Sequence, residues 1–201
     1  MLDIRDLRRQ GLAAAVSFKL QAGECLGVRG PSGAGKSLLL RAIADLDPSD
    51  GHVSWQGQER GQMPAPDWRK IVGYLPAEPG WWADRVGDHF QNWAVLLPLV
   101  TRLGLPADAE HWPVTRPSTG ERMRLAFLRA LERNPKLLLL DEPTAALDAK
   151  SVAIVEEIVA ERRRDQGLAV IWVSHDPEQS RRVSSRVLQV EQGRAWEEGA
   201  V

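Results

Sequence analysis

Gly30-Pro31-Ser32-Gly33-Ala34-Gly35-Lys36-Ser37 has the spacing G-x-x-x-x-G-K-[ST], in which backbone and side chain together can hold phosphate. Its glycines let successive N–H groups turn inward around phosphate oxygens, helped by the positive end of a following helix. Lys36 then reaches the β and γ phosphates and Ser37 offers a hydroxyl to magnesium. Leu38, the next residue, is counted with this candidate phosphate-binding run.

Two further pieces supply what the loop lacks. Leu137-Leu138-Leu139-Leu140 is an apolar run that stops abruptly at Asp141-Glu142. In an open α/β sheet, ligands sit at the carboxyl ends of strands. Asp141 is therefore a candidate magnesium ligand and Glu142 a candidate base or orienter for an attacking water. Ser174-His175-Asp176 follows the apolar run Ala169 to Val173, so His175 is a candidate partner for the γ phosphate or that water. His52, His89 and His111 have no comparable setting.

These residues need strands to carry them and helices to cover the strands. Alternation marks Val16 to Leu20 as a half-buried strand, and Cys25 to Val28 reads as a short buried one just before the loop. Ser37 to Asp45 suits a helix, His52 to Trp55 a strand, and Arg69 to Leu75 ends in a strand stopped by Pro76 and Pro79. Helical spacing recurs over Glu121 to Arg133 and over Ser151 to Arg164, the latter ending near Gly167. Strands alternating with helices predict a largely parallel sheet covered on both faces. Between Pro79 and Pro117, Trp81, Trp82, Trp93 and Trp112 mix with Leu and Val runs and with loop signals at Pro98, Gly104 and Pro106. A small inserted helical lobe is expected there.

Bulk composition excludes several classes. With 201 residues, 43% hydrophobic and 26% charged, the chain fits one globular domain with a small lobe. A net charge of −1 gives no field to attract nucleic acid, and none is expected as a partner. Arg162-Arg163-Arg164, flanked by Glu156, Glu157 and Glu161, reads as a solvated helix face. Cys25 is the single cysteine, so neither a disulfide nor a thiolate cluster forms within the chain. The mixed, acidic Met1-Leu2-Asp3-Ile4-Arg5-Asp6 is not a signal peptide, and no apolar stretch approaches the 18 or so residues of a membrane span. A cytoplasmic protein is expected, peripheral on the inner face of the membrane only through a partner.

In this order the pieces resemble the nucleotide-binding domain of ABC ATPases, over about Leu2 to Gly193. Asp141-Glu142-Pro143-Thr144-Ala145-Ala146-Leu147-Asp148 is similar to that family's Walker B and D-loop run, and Val173 to Asp176 to its H-loop. Ser118 to Leu131 falls on the family's signature and its helix. The resemblance implies a P-loop NTPase of ABC type: a mostly parallel sheet flanked by helices, a small antiparallel β part, and a short helical lobe. One domain over 1–201 is expected, with core segments 1–76 and 119–201 and an approximate lobe 77–118. Also implied are ATP and Mg2+ as ligands, dependence on a separate transmembrane permease subunit, and a homodimer or heterodimer of ATPase subunits. In such a dimer, Ser118 and the backbone near Gly120 complete the γ-phosphate cage from across the interface. The resemblance further implies that hydrolysis drives transport.

Three departures stand out. Positions 117 to 121 read Pro-Ser-Thr-Gly-Glu where the family has L-S-G-G-Q, so Thr119 adds a side chain and Pro117 stiffens the entry. The Q-loop glutamine is replaced by Ala77, with Glu78 beside it as a possible substitute. No aromatic residue lies near Arg8 to Gly11, leaving Arg8 or Arg9 to stack on a base. An ATP-binding switch with slow hydrolysis is the alternative these departures raise. A non-transport ABC ATPase is the other.

Overall fold

A computed structural model describes residues 1–197; the domain expectation for 198–201 lies outside the described residues. The spine is a six-stranded sheet in the order β10-β9-β3-β8-β7-β6, built from β3 (Cys25–Arg29), β6 (Val72–Leu75), β7 (Leu137–Asp141), β8 (Ala169–Val173), β9 (Arg186–Glu191) and β10 (Arg194–Glu197). Its pairings are parallel except for the β9–β10 hairpin. A second, antiparallel sheet runs β2-β1-β4-β5, from β1 (Leu2–Arg8), β2 (Val16–Leu20), β4 (Asp50–Trp55) and β5 (Gln58–Glu59).

The continuous apolar runs are explained by burial on both faces. Leu137 and Leu139 of β7, with Ile171 and Val173 of β8, face a core shared with the antiparallel sheet and with α1 (Lys36–Ile43). Leu138, Leu140, Val170 and Trp172 face the opposite core. That second core is closed by α3 (Trp93–Arg102), α4 (Thr119–Glu132) and α5 (Ala149–Gln166). α2 (Ala65–Ile71) leads into β6 and buries Trp68, and α6 (Pro177–Val183) follows β8.

Residues 77–118 are mainly helical and loop, with α3 and short 3-10 turns at Gly87–His89 and Ala107–His111. Pro98, read as a loop signal, lies inside α3. Burial of Trp93, Leu96 and Val100 on one face outweighs the roughly 3 kcal/mol that an interior proline costs a helix. Gly104, with φ of 68°, does end that helix region.

The acidic, mixed N-terminus forms the strand β1, and α6, β9 and β10 likewise lack a pattern that marks them in the sequence. The basic run also differs from expectation. Arg163 Nε donates to Gly23 O at 3.1 Å and its Nη1 to Val183 O at 2.8 Å, while Arg162 bonds Asn134. Arg164 is exposed, whereas Arg162 and Arg163 are partly buried and fasten the end of α5 to its neighbours. No described helix is long and apolar enough to cross a membrane.

Candidate nucleotide site

The loop between β3 and α1 is shaped by glycine. At Gly30 φ is 147° and a Cβ would run into Val190 O on β9, so the strand that flanks β3 also sets the loop's entry. Gly35 caps α1 at φ 104°. Leu39 N is the first amide to reach a carbonyl of the preceding turn, Gly35 O at 2.9 Å. The amides of Lys36, Ser37 and Leu38 therefore remain at the helix mouth, where an anion would meet them. Lys36 is 6% exposed, and its Nζ donates to Gly30 O and Pro31 O, both at 2.8 Å. Burial pulls its pKa below the usual lysine range, against the upward pull of Glu142 and Asp141.

Asp141 closes β7 and is 2% exposed. Burial raises its carboxyl above the usual range and Glu142 adds to this, while the Ser37 hydroxyl, Lys36 and the Tyr74 hydroxyl act the other way. Glu142 then turns into the left-handed region, φ 52°, with its N–H on Val173 O at 3.2 Å. Such a backbone costs a non-glycine residue of order 1 kcal/mol or more. It turns the chain so that Glu142 Oε1 meets His175 Nε2 at 2.7 Å.

A cavity of about 310 Å3 gathers Ser32, Gly33, Gly35, Lys36, Ser37, Leu38, Glu142 and His175. The pieces read separately in the sequence thus converge, with Asp141 just behind. Ser118 and Gly120 do not join them. They open α4 beside a different cavity, about 560 Å3, lined also by Ala77, Glu78, Pro117, Thr119, Ala145 and Ala146. There Ser118 Oγ accepts from Glu121 N at 3.3 Å and donates to Glu121 Oε2 at 2.8 Å, and the same carboxylate oxygen accepts Ser118 N at 2.8 Å. Glu78 is exposed and lines that cavity, not the one around Lys36.

Other expectations are sorted by contact. Arg9 is committed: its Nε and Nη2 reach Asp47 Oδ2 at 3.1 and 2.8 Å, and Arg41 holds the other oxygen at 2.7 Å. Arg8 is exposed and, with Gln10, Leu12 and Ala13, borders a cavity of about 370 Å3. Trp82 is 73% exposed, and Arg129 stacks over it and over Trp81 at 4.7 and 4.8 Å. Sequence reasoning missed Tyr74, Asp47 and Gln179. Tyr74 stands in the strand beside β7, a placement that its position in the sequence could have suggested; the other two had no signal.

A hydroxyl and a carboxylate, Ser37 and Asp141, form too small a donor set to cage a metal, and no cluster of three or more acidic, histidine or cysteine ligands exists among the described residues. Magnesium suits this, because it keeps water and phosphate oxygens as its remaining ligands.

The family described as ABC transporter matches residues 13–145. "Probable iron export ATP-binding protein FetA" of Escherichia coli (strain K12) is 33% identical over 175 residues, covering 82% of this chain and 78% of that protein. "Thiamine import ATP-binding protein ThiQ" of Cereibacter sphaeroides is 38% identical over 199 residues, covering 87% of this chain and 80% of that one. A solved "ATP binding subunit of ABC transporter" superposes with a TM-score of 0.89 at 22% identity, over 100% of this chain and 90% of the other. The chain belongs to the ABC transporter family. It is an ATP-binding subunit of that family, with the ABC-type P-loop fold and an ATPase activity coupled to transport.

Proposed function

We propose that this ATPase hydrolyses ATP with magnesium at the cavity between Lys36 and the Glu142–His175 pair. The reading rests above all on that convergence of a phosphate-sized helix mouth with a paired carboxylate and imidazole. Backbone N–H groups from Gly30 to Leu38, including those of Ser32, Gly33, Ala34 and Gly35, cradle the phosphates, and Pro31 shapes the loop. Lys36 leaves its own loop carbonyls for phosphate oxygens, which offer it a stronger, charged partner. Glu142 takes the proton of the attacking water or orients it, and His175 steadies that carboxylate and the γ phosphate. Ser37 and Asp141 would hold the magnesium ion, which offsets the phosphate charge during transfer.

Ser118 and Gly120 lie away from their own chain's phosphate loop, which supports their acting on a second ATPase subunit, identical or not. On this reading the chain is one domain, with core segments 1–76 and 119–201 and the lobe 77–118. It works at the inner face of a membrane through a separate permease subunit, with exposed Trp82 and its Arg129 support as the docking element.

The test is ATP turnover by the purified chain beside Glu142→Gln, with association followed by light scattering. Turnover lost in the variant, together with an ATP-dependent dimer, is the expected result. Full turnover in Glu142→Gln would remove Glu142 from the chemistry. Binding without turnover in the wild type would favour an ATP-binding switch, the reading that Thr119 and Ala77 support.

A further inference from the structure

Gln179 of α6 is 3% exposed and belongs to none of the phosphate-contacting elements. Its Oε1 accepts from Ser174 Oγ at 2.8 Å and from Thr144 Oγ1 at 3.1 Å. Its Nε2 donates to Glu156 Oε1 at 2.9 Å and lies 3.0 Å from Thr144 Oγ1. A carboxylate only accepts, so Glu156 fixes which way the amide faces. Arg182 in turn holds both oxygens of Glu156, at 2.9 and 3.2 Å.

The partners of this amide are placed tellingly. Thr144 is two residues past Glu142, and Ser174 immediately precedes His175 while its Oγ also accepts Asp176 N at 3.1 Å. Among the described residues, no side chain other than Glu142 bonds the His175 ring, and none other than His175 bonds the Glu142 carboxylate. Both side chains are also partly exposed, at 48% and 30%. Their meeting is therefore governed by how the two backbone segments are held, and Gln179 ties those segments together. Gln179, Thr144, Ser174, Glu142 and His175 all line one cavity of about 240 Å3.

We infer that Gln179 is a positioning residue for the Glu142–His175 pair, setting its spacing through Thr144 and Ser174. The inference rests on the reading that this pair acts in hydrolysis. A buried, fully satisfied polar network holds one geometry, and displacing reacting groups by about 1 Å can cost on the order of 100-fold in rate.

The experiment compares three variants with the wild type and Glu142→Gln. Gln179→Leu removes the amide at nearly constant volume; kcat for ATP falls about tenfold or more while KM stays within about twofold. Gln179→Glu keeps the shape but sets two carboxylates together, and lowers kcat as well. Adding Glu156→Gln to Gln179→Glu returns the donor to the pair from the other side, and kcat recovers to within about threefold of wild type. Histidine-ring NMR provides a readout independent of turnover. The His175 ring resonances shift in both single Gln179 variants and return in the double variant, while those of His52, His89 and His111 hold. If Glu142→Gln is inactive but Gln179→Leu keeps its kcat, loses only KM, or leaves His175 unmoved, the inference is overturned and the reading of the site stands. If the double variant stays as impaired as Gln179→Glu, the inference also fails. Should Glu142→Gln hydrolyse at the wild-type rate, the reading itself is wrong, and an unmoved His175 resonance still overturns the inference.

Discussion

His175 Nε2 stands 2.7 Å from Glu142 Oε1, joining the first residue beyond β7 to the second beyond β8. Two adjacent parallel strands thus deliver an acceptor and an imidazole to one point at their carboxyl ends. His175→Ala should leave ATP binding within a few-fold and lower kcat, and Glu142→Gln should lower it further, by about 100-fold or more if the carboxylate is the base. Nucleotide affinity measured by calorimetry beside steady-state turnover separates the two effects. Equal loss of affinity and turnover would assign the pair to binding instead.

Gly30 and Gly33 both have positive φ, at 147° and 76°, yet their surroundings differ. A Cβ at Gly30 meets Val190 O, whereas at Gly33 nothing lies within 4 Å. Gly33→Ala should therefore cost only the backbone term, about 1–2 kcal/mol. Gly30→Ala must displace β9 and should lower the urea midpoint far more. Equal losses would show that the loop entry yields easily.

Ser118 and Glu121 cap α4 reciprocally, and Glu121 is held below the usual glutamate range first by the Ser118 N–H and then by its hydroxyl. Ser118→Ala should destabilise the chain by about 1 kcal/mol at neutral pH. A depressed acid stabilises the fold above its unfolded pKa and loses that contribution as pH falls through the folded value. The gap in melting temperature between wild type and Glu121→Ala should accordingly shrink on acidification. A gap constant with pH would mean that the contact acts by packing alone.

Asp47 provides a second, separate acid-sensitive contact. The Arg41 hydrogen bonds lead in holding it at about 2, against an ordinary 3.8, with Arg9 adding to them. Its contribution is complete above 3.8 and is lost as pH falls toward 2. Urea midpoints of wild type and Asp47→Asn should differ most near neutral pH and converge over that window. Because Arg9 is held by this carboxylate, the substitution should also loosen the segment beside Leu12 and Ala13, read as faster amide exchange there.

Legibility in the sequence followed burial and chemistry. β3, β7 and β8 declare themselves because strands covered on both faces must be apolar throughout, and the loop from Gly30 to Ser37 because phosphate demands those residue types. β1 hides its alternation: Asp3, Arg5 and Asp6 crowd its outer positions, and Asp6 bends at φ 52° where the register shifts. Arg186 and Gln189 likewise disguise β9, whose inner residues are only Leu188 and Val190. Pro98 misleads because tertiary packing outweighs a local preference. Gln179 is invisible for a different reason: a glutamine on a short helix acquires meaning only from Thr144 and Glu156, which are distant in the chain.

The turn joining β9 to β10 accepts Ala13 N and Ala14 N at Gly193 O, at 2.8 and 3.2 Å, and donates Gly193 N to Ala34 O at 3.2 Å. β9 also completes the pairing of β3 and bounds Gly30. During vectorial synthesis the phosphate loop emerges well before the strand and turn that fix it. The loop's full set of supports is therefore complete only once the β9–β10 hairpin has been made and docked. A protease that nicks this hairpin would disarm the loop from a point far along the chain.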